Sequence, residues 1–457
     1  MKFPNPVKLT QFLFYREFPL KNGRALNFAY ASKKSETKEG ITIGTASAHV
    51  FRNKKYVQVM SAINSQSCSP PEVTTGGIYN ESLYCYLLCA LIHREEIQVV
   101  SSTFAHSILQ AFRTFEDVWE KLCNDIREGV LSSKITVPSV RTAVSEILKP
   151  DPELADLIHK KVSGLNNWYG LIPELFPNVK YVLSIMTGSM ETYVERLRHY
   201  AGEVPLVSSD YGASEGSIGT NLHPRAPPEL VSYTILPHLA YFEFIPLTEN
   251  SSEDPKPVGL TEVKVGEEYE LVMTTNAGFY RYRMGDVVKI TGFYNSTPEF
   301  KFIRRRSIIL SINIDKNTEH DLHLAVLEAS KVLAKEKLYV VDYTSHADIS
   351  ELPGHYVIFF EISGEASEEV LSESCTSLEK HFLIEPGYMT SLKTNNIGPL
   401  ELRVVRSGTF QKILDHFVGK GISVTQFKTP RCVAATNIIL QILNENVEKK
   451  YISTALG

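Results

Sequence analysis

The strongest constraint on the fold is a pattern that occurs twice in the middle of the chain. The segments "VKYVLSIMTG" (179–188) and "VPLVSSDYGAS" (204–214) each read as a short apolar strand followed by a polar turn rich in small residues. Helical sequence lies between them, and strands that alternate with helices form parallel sheets whose strand ends line a crevice. We therefore predict an α/β fold with both turns at one edge of a parallel sheet.

The sequence from about 80 to 200 is predicted to be helical apart from these strands. In "FAHSILQAFRTFEDVWEKLCNDIREG" the apolar residues recur at intervals of three and four, and the pattern stops at Gly129. The residues of this stripe are Phe104, Ile108, Phe112, Phe115 and Trp119. His106 lies within the stripe, where it either packs in the core or lines a site. Two further short helices are predicted on either side of Pro150 and Pro152.

Between 231 and 303 the apolar period changes to two, which predicts antiparallel strands. The alternating residues are Val263, Val265, Tyr269, Leu271 and Met273, with turns predicted at Gly266, at 276–278 and around Asn295. Beyond a hinge near 303–315, helical and strand patterns alternate again. We predict a large N-terminal domain over 1–305, with parallel sheets and an antiparallel β-region, and a small mobile α+β domain over 306–457.

Composition excludes several classes of protein. The 457 residues carry a net charge of -5 with no large block of one sign, so no nucleic-acid partner is expected. The short run Arg304-Arg305-Arg306 fits a local anion contact better. No apolar run reaches the ~18 residues of a membrane span, and the first residues contain prolines and charges where a signal peptide would be apolar. The six scattered cysteines, with Cys85 and Cys89 on one helix face, predict buried free thiols in a cytoplasmic protein.

The stretch "SSDYGASEGSIGTNL" (208–222) is the first candidate site. Its small residues allow a flat or phosphorylated ligand to approach the backbone. Tyr211 offers a ring for stacking and a hydroxyl, and Glu215 offers a hard oxygen ligand for Mg²⁺. The small residues, the tyrosine and the carboxylate together suit a nucleotide-binding site. Considered alone, however, this stretch is equally well interpreted as a plain strand-to-helix turn.

The second candidate site is "GFYRYRMGDVV" (278–288), in which Tyr280 and Tyr282 alternate with Arg281 and Arg283. We predict a strand that ends in a turn at 284–285, with Asp286 directly after it. An acid in that place can accept hydrogen bonds from both ribose hydroxyls, and an arginine can hold a phosphate or carboxylate. By itself Asp286 is as well explained by a structural role in the turn.

The order "YGASEG", then "YRYRMGD", then a hinge and a small domain resembles the adenylate-forming superfamily. More closely, "ITVPSVRTAVS", "NWYGLIPELFPNVKYVLSIMTGSM", "LSINIDKNTEHDL" and "QFKTPRCV" resemble the plant Gretchen Hagen acyl acid–amido synthetases. The sequences "RHYAGEVPLV" and "INIDKNTEHDL" resemble the jasmonate-conjugating branch more closely than the auxin-conjugating one. The resemblance extends from about residue 20 to the end.

This resemblance implies two half-reactions. ATP converts a carboxylate to an acyl-adenylate with loss of pyrophosphate, and the amino group of an amino acid then displaces AMP to form an amide. The implied nucleotide contacts are Tyr211, Gly212, Ala213, Ser214, Asp286 and Arg283. The phosphates and Mg²⁺ are assigned to Ser214 and Glu215. Rotation of the small domain would bring Lys428 to the phosphates as a second catalytic residue, although a solvated turn lysine explains it equally well.

Three departures from the family pattern are visible. The phosphate-binding loop, a Ser/Thr/Gly-rich stretch followed by a lysine, has no counterpart in residues 1–20, which predicts an N-terminally shortened domain with severely weakened use of ATP. Ile438, or a residue near it, stands where the jasmonate branch has a lysine. Ser209 and Ser217 replace a histidine and a tryptophan in the acyl-acid pocket, to which His106 is also assigned. The pocket is therefore predicted to be roomier and more polar, which leaves acids other than jasmonate open.

We predict an ATP-dependent, AMP-forming ligase that joins a jasmonate-like carboxylic acid to an amino acid and acts as a cytoplasmic monomer. The alternative is an impaired homologue that binds nucleotide or acyl acid without ligation. A hydrolase that uses the same pocket is a third, weaker interpretation.

Overall fold

The computed structural model describes residues 16–21, 23–31, 35–43, 66–76, 78–213, 215–247, 256–305, 308–312, 315–393, 395–420 and 427–456. Within these ranges the chain forms a parallel sheet, an antiparallel sheet and a mixed sheet, together with helices that pack against them. The predicted α/β class, with parallel and antiparallel regions, is confirmed.

Five short strands of the first half build the parallel sheet. The first seven strands are β1 (Arg24–Asn27), β2 (Ser35–Glu36), β3 (Thr42–Ile43), β4 (Gln66–Ser67), β5 (Ile97–Phe104), β6 (Tyr181–Ile185) and β7 (Leu206–Val207). The sheet has the order β4-β1-β5-β6-β7 with every pair parallel, while β2 and β3 pair only with each other. Both apolar runs that opened the sequence argument are therefore neighbouring strands of one parallel sheet, as predicted.

Seven α-helices belong to this described part of the chain. They are α1 (Pro71–Thr75), α2 (Tyr79–Ile92), α3 (Ala105–Glu128), α4 (Pro138–Ile147), α5 (Pro152–Ser163), α6 (Leu171–Leu175) and α7 (Val194–Ala201), with a 3₁₀ helix at Gly188–Tyr193. The stripe on α3 lies in the core, and the helix ends where Gly129 adopts φ 65°, a left-handed conformation that glycine permits. No helix in the described ranges is long and apolar enough to cross a membrane.

The prediction that about 80 to 200 is helical apart from the two apolar runs was wrong at β5. Residues 97–104 form a central strand, and Phe104 belongs to that strand rather than to α3. A strand buried on both faces shows no regular alternation of apolar and polar residues, so periodicity alone does not separate it from a buried helix. Cys85 and Cys89, in contrast, are buried on α2 as free thiols, as predicted, and burial raises the pKa of Cys85 to about 12.

The region after β7 forms an antiparallel sheet in the order β11-β12-β13-β14-β10-β9-β8. Its strands are β8 (Asp210–Ala213), β9 (Gly216–Thr220), β10 (Tyr233–Ile235), β11 (Tyr241–Pro246), β12 (Glu268–Thr274), β13 (Tyr282–Tyr294) and β14 (Thr297–Arg305). Tyr269, Leu271 and Met273 are buried on β12, as their alternation predicted. Val263 and Val265 lie in turns before β12, so a strand there was wrong.

The last third contains a four-stranded sheet in the order β17-β18-β19-β20 with helices on both faces. The strands of this sheet are β17 (Val340–Asp348), β18 (His355–Ile362), β19 (Glu401–Val405) and β20 (Val447–Ile452). Two earlier strands, β15 (Ile308–Leu310) and β16 (Asn317–Thr318), pair only with each other. The helices are α8 (Glu319–Leu333), α9 (Glu368–Phe382), α10 (Pro386–Lys393), α11 (Thr409–Gly419) and α12 (Ile438–Glu445). The predicted alternation of strands and helices beyond the hinge is confirmed, and β15, β16, α10, α12 and β20 are additional elements.

A buried acid in this sheet gives a prediction for stability at low pH. Glu401, 5% exposed, accepts hydrogen bonds from His355 Nε2 at 3.1 Å and from Arg403 Nη2 at 2.6 Å. Burial alone would raise the pKa of Glu401, but these two bonds and the nearby positive charges lower it to about 2. The folded-state pKa thus lies below the unfolded value of about 4.3. The stabilisation is present above that unfolded value and is lost as the pH falls towards the folded one.

We therefore expect the free energy of unfolding, measured in urea, to fall between about pH 4.3 and about pH 2 more steeply for the wild type than for Glu401→Gln. Glu351→Gln, which changes an exposed glutamate, is the matched control and should follow the wild-type slope. Identical slopes for Glu401→Gln and the wild type would contradict this account.

Candidate active site

The stretch 208–222 forms the first hairpin of the antiparallel sheet. The chain leaves the parallel sheet at β7, and β8 then pairs with β9 through Asp210↔Thr220 and Tyr211↔Gly219. Gly219 is needed here, because a Cβ atom at that position would lie 3.0 Å from the Cβ of Tyr233. The interpretation as a strand-to-helix turn was therefore wrong: this segment carries the chain from one sheet into the next.

Tyr211 and Asp286 lie in direct contact. The Tyr211 hydroxyl donates a hydrogen bond to Oδ2 of Asp286, which is 3% exposed. The tyrosine ring is fixed by three aromatic neighbours, with centroid distances of 5.6 Å to Tyr233, 5.5 Å to Phe300 and 5.8 Å to Phe302. The two sequence motifs, 75 residues apart, thus meet through the residues singled out in each.

The position of Asp286 depends on an irregularity in β13. Val272 of β12 pairs with Arg283 and Glu270 pairs with Val287, so β13 carries two extra residues within this interval. Gly285 has φ 72°, a left-handed backbone that allows such a bulge. The strand therefore continues through Asp286 to Tyr294, and the predicted end of the strand at a 284–285 turn was wrong.

Arg283 forms a two-pronged ion pair inside the sheet. Its Nε donates to Glu270 Oε1 at 2.9 Å and its Nη2 to Glu270 Oε2 at 2.6 Å. The Glu270 side chain is 3% exposed, whereas that of Arg283 is 41% exposed. A buried carboxylate already neutralises most of this cation, so a nucleotide phosphate would have to compete with Glu270 for it.

The tip of the hairpin holds the other predicted nucleotide and metal contacts. Gly212 is exposed, and Ala213 and Glu215 are half-buried. Ser214 lies outside the described residues. The Glu215 carboxylate makes no hydrogen bond or ion pair with the rest of the described chain, which leaves its oxygens open to a ligand. No group of three potential metal ligands occurs in the described residues.

Ser209 and Ser217 lie on the two strands of the same hairpin. The Ser209 carbonyl accepts a hydrogen bond from the Asn221 backbone N–H at 2.7 Å, and Ser217 is exposed opposite Gly212. Sequence reasoning overlooked the neighbouring Ser208, which is fully buried and lies 3.0 Å from the Tyr233 hydroxyl. Its place at the end of a short apolar strand was the only signal for it in the sequence.

His106 and Lys428 line a second space, a cavity of about 600 Å³ between α3 and the last third of the chain. Burial lowers the pKa of His106, so its imidazole is neutral at pH 7. The Lys428 Nζ lies 4.5 Å from the centre of the Phe104 ring. Tyr211, Asp286, Ser209 and Ser217 do not line this cavity, so the structure groups His106 with Lys428 rather than with the hairpin.

A buried network that sequence reasoning missed forms one wall of this cavity. Arg431 Nη1 donates to Asp342 Oδ1 at 2.6 Å, and both side chains are 5% exposed. Thr429 donates to Asp342 Oδ2 at 2.7 Å. Tyr193, at the end of the 3₁₀ helix, donates to Asp342 at 3.2 Å and accepts from Arg431 Nη2 at 3.1 Å. The network therefore joins the first part of the chain to the last.

The arrangement of the three sheets defines the class of protein. A solved structure named GH3.15 acyl acid amido synthetase matches with a TM-score of 0.89 at 37% identity, covering 98% of this chain and 79% of that one. Models of the GH3 family match over almost the same extent: its N-terminal domain at residues 6–206, its central domain at 233–305 and its C-terminal domain at 320–437. The chain belongs to the GH3 family.

Relatives within the family confirm the predicted nearness to the jasmonate branch. Jasmonoyl–L-amino acid synthetase JAR4 of Nicotiana attenuata is 61% identical over 449 residues, which cover 98% of this chain and 78% of that protein. Jasmonoyl–L-amino acid synthetase GH3.5 of Oryza sativa is 58% identical, covering 97% of this chain and 78% of that protein. Indole-3-acetic acid-amido synthetase GH3.10 of Arabidopsis thaliana is 47% identical, covering 96% of this chain and 77% of that protein.

Proposed function

We propose that this chain is an ATP-dependent, AMP-forming ligase that joins a jasmonate-like carboxylic acid to an amino acid. The observation that carries the proposal is the contact between Tyr211 and Asp286, because it assembles both nucleotide motifs into one site. The jasmonoyl–amino acid synthetases that are 58–61% identical to this chain support the choice of acid.

In this proposal the nucleoside binds at the hairpin. Tyr211 is held rigidly by its aromatic neighbours, and Gly212 and Ala213 leave the adenine room beside the backbone. The Asp286 carboxylate accepts hydrogen bonds from the ribose hydroxyls while Tyr211 fixes its orientation. Since the site is preorganised, the α-phosphate is presented to the acid with little loss of entropy.

Glu215 is the proposed ligand of Mg²⁺. The donor set fits this ion, because Mg²⁺ is usually bound through one or two carboxylates with the remaining positions filled by water and substrate phosphates. When bound, the ion would offset the charge of the leaving pyrophosphate. Arg283 would add to this effect only through the part of its guanidinium that is exposed beside Glu270.

We further propose that residues 306–457 act as a mobile domain that carries Lys428 to the phosphates. The Lys428 ammonium group lies against Phe104 in a cavity that neither Tyr211 nor Asp286 lines. A role in offsetting phosphate charge therefore requires this domain to rotate, with Tyr193 separating from Arg431 and Asp342.

The acyl acid is proposed to lie near the two serines of the hairpin. Ser217 is exposed and Ser209 is half-buried, so an acid bound beside them would meet polar side chains. His106 belongs to the other cavity and would contact the acid only from that side. The cytoplasmic setting, the monomeric state and the absence of a nucleic-acid partner remain predictions.

A rival proposal, a homologue that binds nucleotide or acyl acid without ligation, is favoured by one position. Ile438, which stands at or near the place of an expected lysine, begins α12 as an apolar residue. It cannot balance phosphate charge. The sequence of residues 1–20 contains no counterpart of the phosphate-binding loop, and most of these residues lie outside the described ranges.

Acid-dependent pyrophosphate release separates the two proposals. With ATP, Mg²⁺ and a mixture of amino acids, we expect jasmonic acid and related cyclopentyl acids to release pyrophosphate and to yield an amide detectable by mass spectrometry. Benzoates and indole acids should react more slowly. The control is Lys289→Ala, which changes an exposed residue of β13 and should react at the wild-type rate. Nucleotide binding without pyrophosphate release from any acid would favour the rival.

A further inference from the structure

A cavity of about 1030 Å³ lies apart from the hairpin and takes no part in the proposed reaction. Helices α3 and α7 and the loop at 166–170 form one side of it, and the end of α8 with residues 337–339 forms the other. It therefore lies between the first and last parts of the chain. Its volume is at the upper end of the range found for small-molecule sites, about 300–1,000 Å³.

Two arginines face Tyr339 in this cavity, and neither forms an ion pair with a carboxylate in the described part of the chain. The guanidinium carbon of Arg196 lies 3.6 Å from the centre of the Tyr339 ring, and that of Arg113 lies 5.8 Å from it. The Nη1 atom of Arg196 is buried and has no hydrogen-bond partner in the described chain. By contrast, Arg198 on the same helix is held by Glu229 at 2.9 Å.

The electrostatics leave this pair of cations undercompensated. Burial, together with the positive charge of Arg113, lowers the pKa of Arg196 to about 10. The negative charge of Glu116 on α3 acts on both arginines, but its Oε1 accepts a hydrogen bond from the Tyr200 hydroxyl, and no hydrogen bond joins Glu116 to either guanidinium in the described chain. A buried guanidinium nitrogen without an acceptor costs free energy, which an anionic ligand would recover.

The rim of the cavity carries strained backbone and aromatic side chains. Asn167 and Trp168 adopt φ 52° and 60°, a left-handed conformation that is rare for a bulky residue. The loop is held in place by His199, whose Nε2 donates to the Asn167 carbonyl at 2.6 Å. Strain of this kind concentrates at ligand sites. Here it places Trp168 and Tyr169 at the mouth of the cavity.

We propose that this cavity binds a small molecule with a phosphate group attached to a planar ring. The forked guanidinium groups of Arg113 and Arg196 match the oxygens of a phosphate, which carries up to two negative charges at pH 7. Trp168 and Tyr169 offer faces for the ring. The site is separate from the nucleotide site at the hairpin, none of whose residues lines this cavity.

Tryptophan fluorescence tests this site directly, because the chain contains only two tryptophans. In a Trp119→Phe background Trp168 is the sole reporter, and phenyl phosphate is the probe. We expect a saturable change in fluorescence, and about tenfold weaker binding for Arg196→Gln and for Arg113→Gln. Inorganic phosphate should bind more weakly than phenyl phosphate, and phenol should give no saturable change.

The matched control is Arg198→Gln, which removes the same charge from the same helix but from an arginine already paired with Glu229. It should change the affinity by less than about twofold. No saturable change in the parent protein, or an equal loss in the Arg198 and Arg196 variants, would overturn the proposal. So would loss of binding in Asp286→Asn, because the probe would then be in the nucleotide site. Urea midpoints equal to that of the parent establish that each variant is folded.

Discussion

Replacing Asp286 with alanine should slow acid-dependent pyrophosphate release by about a hundredfold or more. The carboxylate is buried, accepts a hydrogen bond from Tyr211 and is the proposed acceptor for both ribose hydroxyls. Hydrogen bonds to a charged group contribute about 1.5–3 kcal/mol each, so the loss of two is enough for this effect. The measurement is the rate of pyrophosphate release at saturating acid over a range of ATP concentrations.

Two further variants make this result interpretable. Asp286→Asn keeps an acceptor for Tyr211 but loses the charge, so its rate should lie between those of Asp286→Ala and the wild type. Tyr211→Phe keeps the carboxylate but removes the bond that orients it, and should cause a smaller loss, of about tenfold. A wild-type rate in Asp286→Ala, with the protein folded, would remove Asp286 from the site.

Replacing Arg431 with methionine should lower the free energy of unfolding by about 3–5 kcal/mol, because it leaves the buried carboxylate of Asp342 without its partner. The bonds from Thr429 and Tyr193 do not neutralise that charge. Urea denaturation at pH 7 measures the loss. A decrease below about 1 kcal/mol would contradict this account of the network.

Removal of both charges is the control for this interpretation. Arg431→Met combined with Asp342→Leu should be more stable than Arg431→Met alone, since no buried charge then remains unpaired. Tyr193→Phe removes only the two hydrogen bonds by which this network joins the first part of the chain to the last, and should cost about 1 kcal/mol.

The same pair predicts a dependence on pH. Burial by itself would raise the pKa of Asp342, but the charge of Arg431 and the hydrogen bonds to the carboxylate hold it below the usual value. The stabilisation is therefore present above the unfolded pKa of about 3.9 and is lost as the pH falls through the lower folded-state pKa. The Arg431→Met variant should not show this acid-dependent loss.

The sequence predicted elements best where a periodic pattern was long and had a clear end. Helix α3 was located by its apolar stripe and by Gly129, and the strand and helix order of the last third followed from clear changes of period. Strand β5 was missed because a strand buried on both faces has no alternation. The hairpin at 208–222 was taken for a turn because its small residues give no strand signal.

The candidate site could be predicted only in part. The motifs containing Tyr211 and Asp286 were identified, but their contact depends on pairing between distant strands and on a bulge at Gly285, which no local pattern specifies. Lys428 was identified as a cation near the end of the chain, whereas its place against Phe104 depends on how the last third packs on α3. The lack of a hydrogen-bond partner for Arg196 Nη1 among the described residues could not be foreseen, since pairing is decided by tertiary structure.

The most direct test of the proposed ligase is the transfer of oxygen from the acid to AMP. A carboxylate labelled with ¹⁸O in both oxygens attacks the α-phosphorus of ATP, and pyrophosphate leaves. The amine then attacks the acyl carbon, so the bond from that carbon to the bridging oxygen breaks and AMP departs with the label. We predict one ¹⁸O in each AMP and one in each amide, as measured by mass spectrometry. Formation of the amide with unlabelled AMP, or no labelled AMP with any acid, would contradict the account.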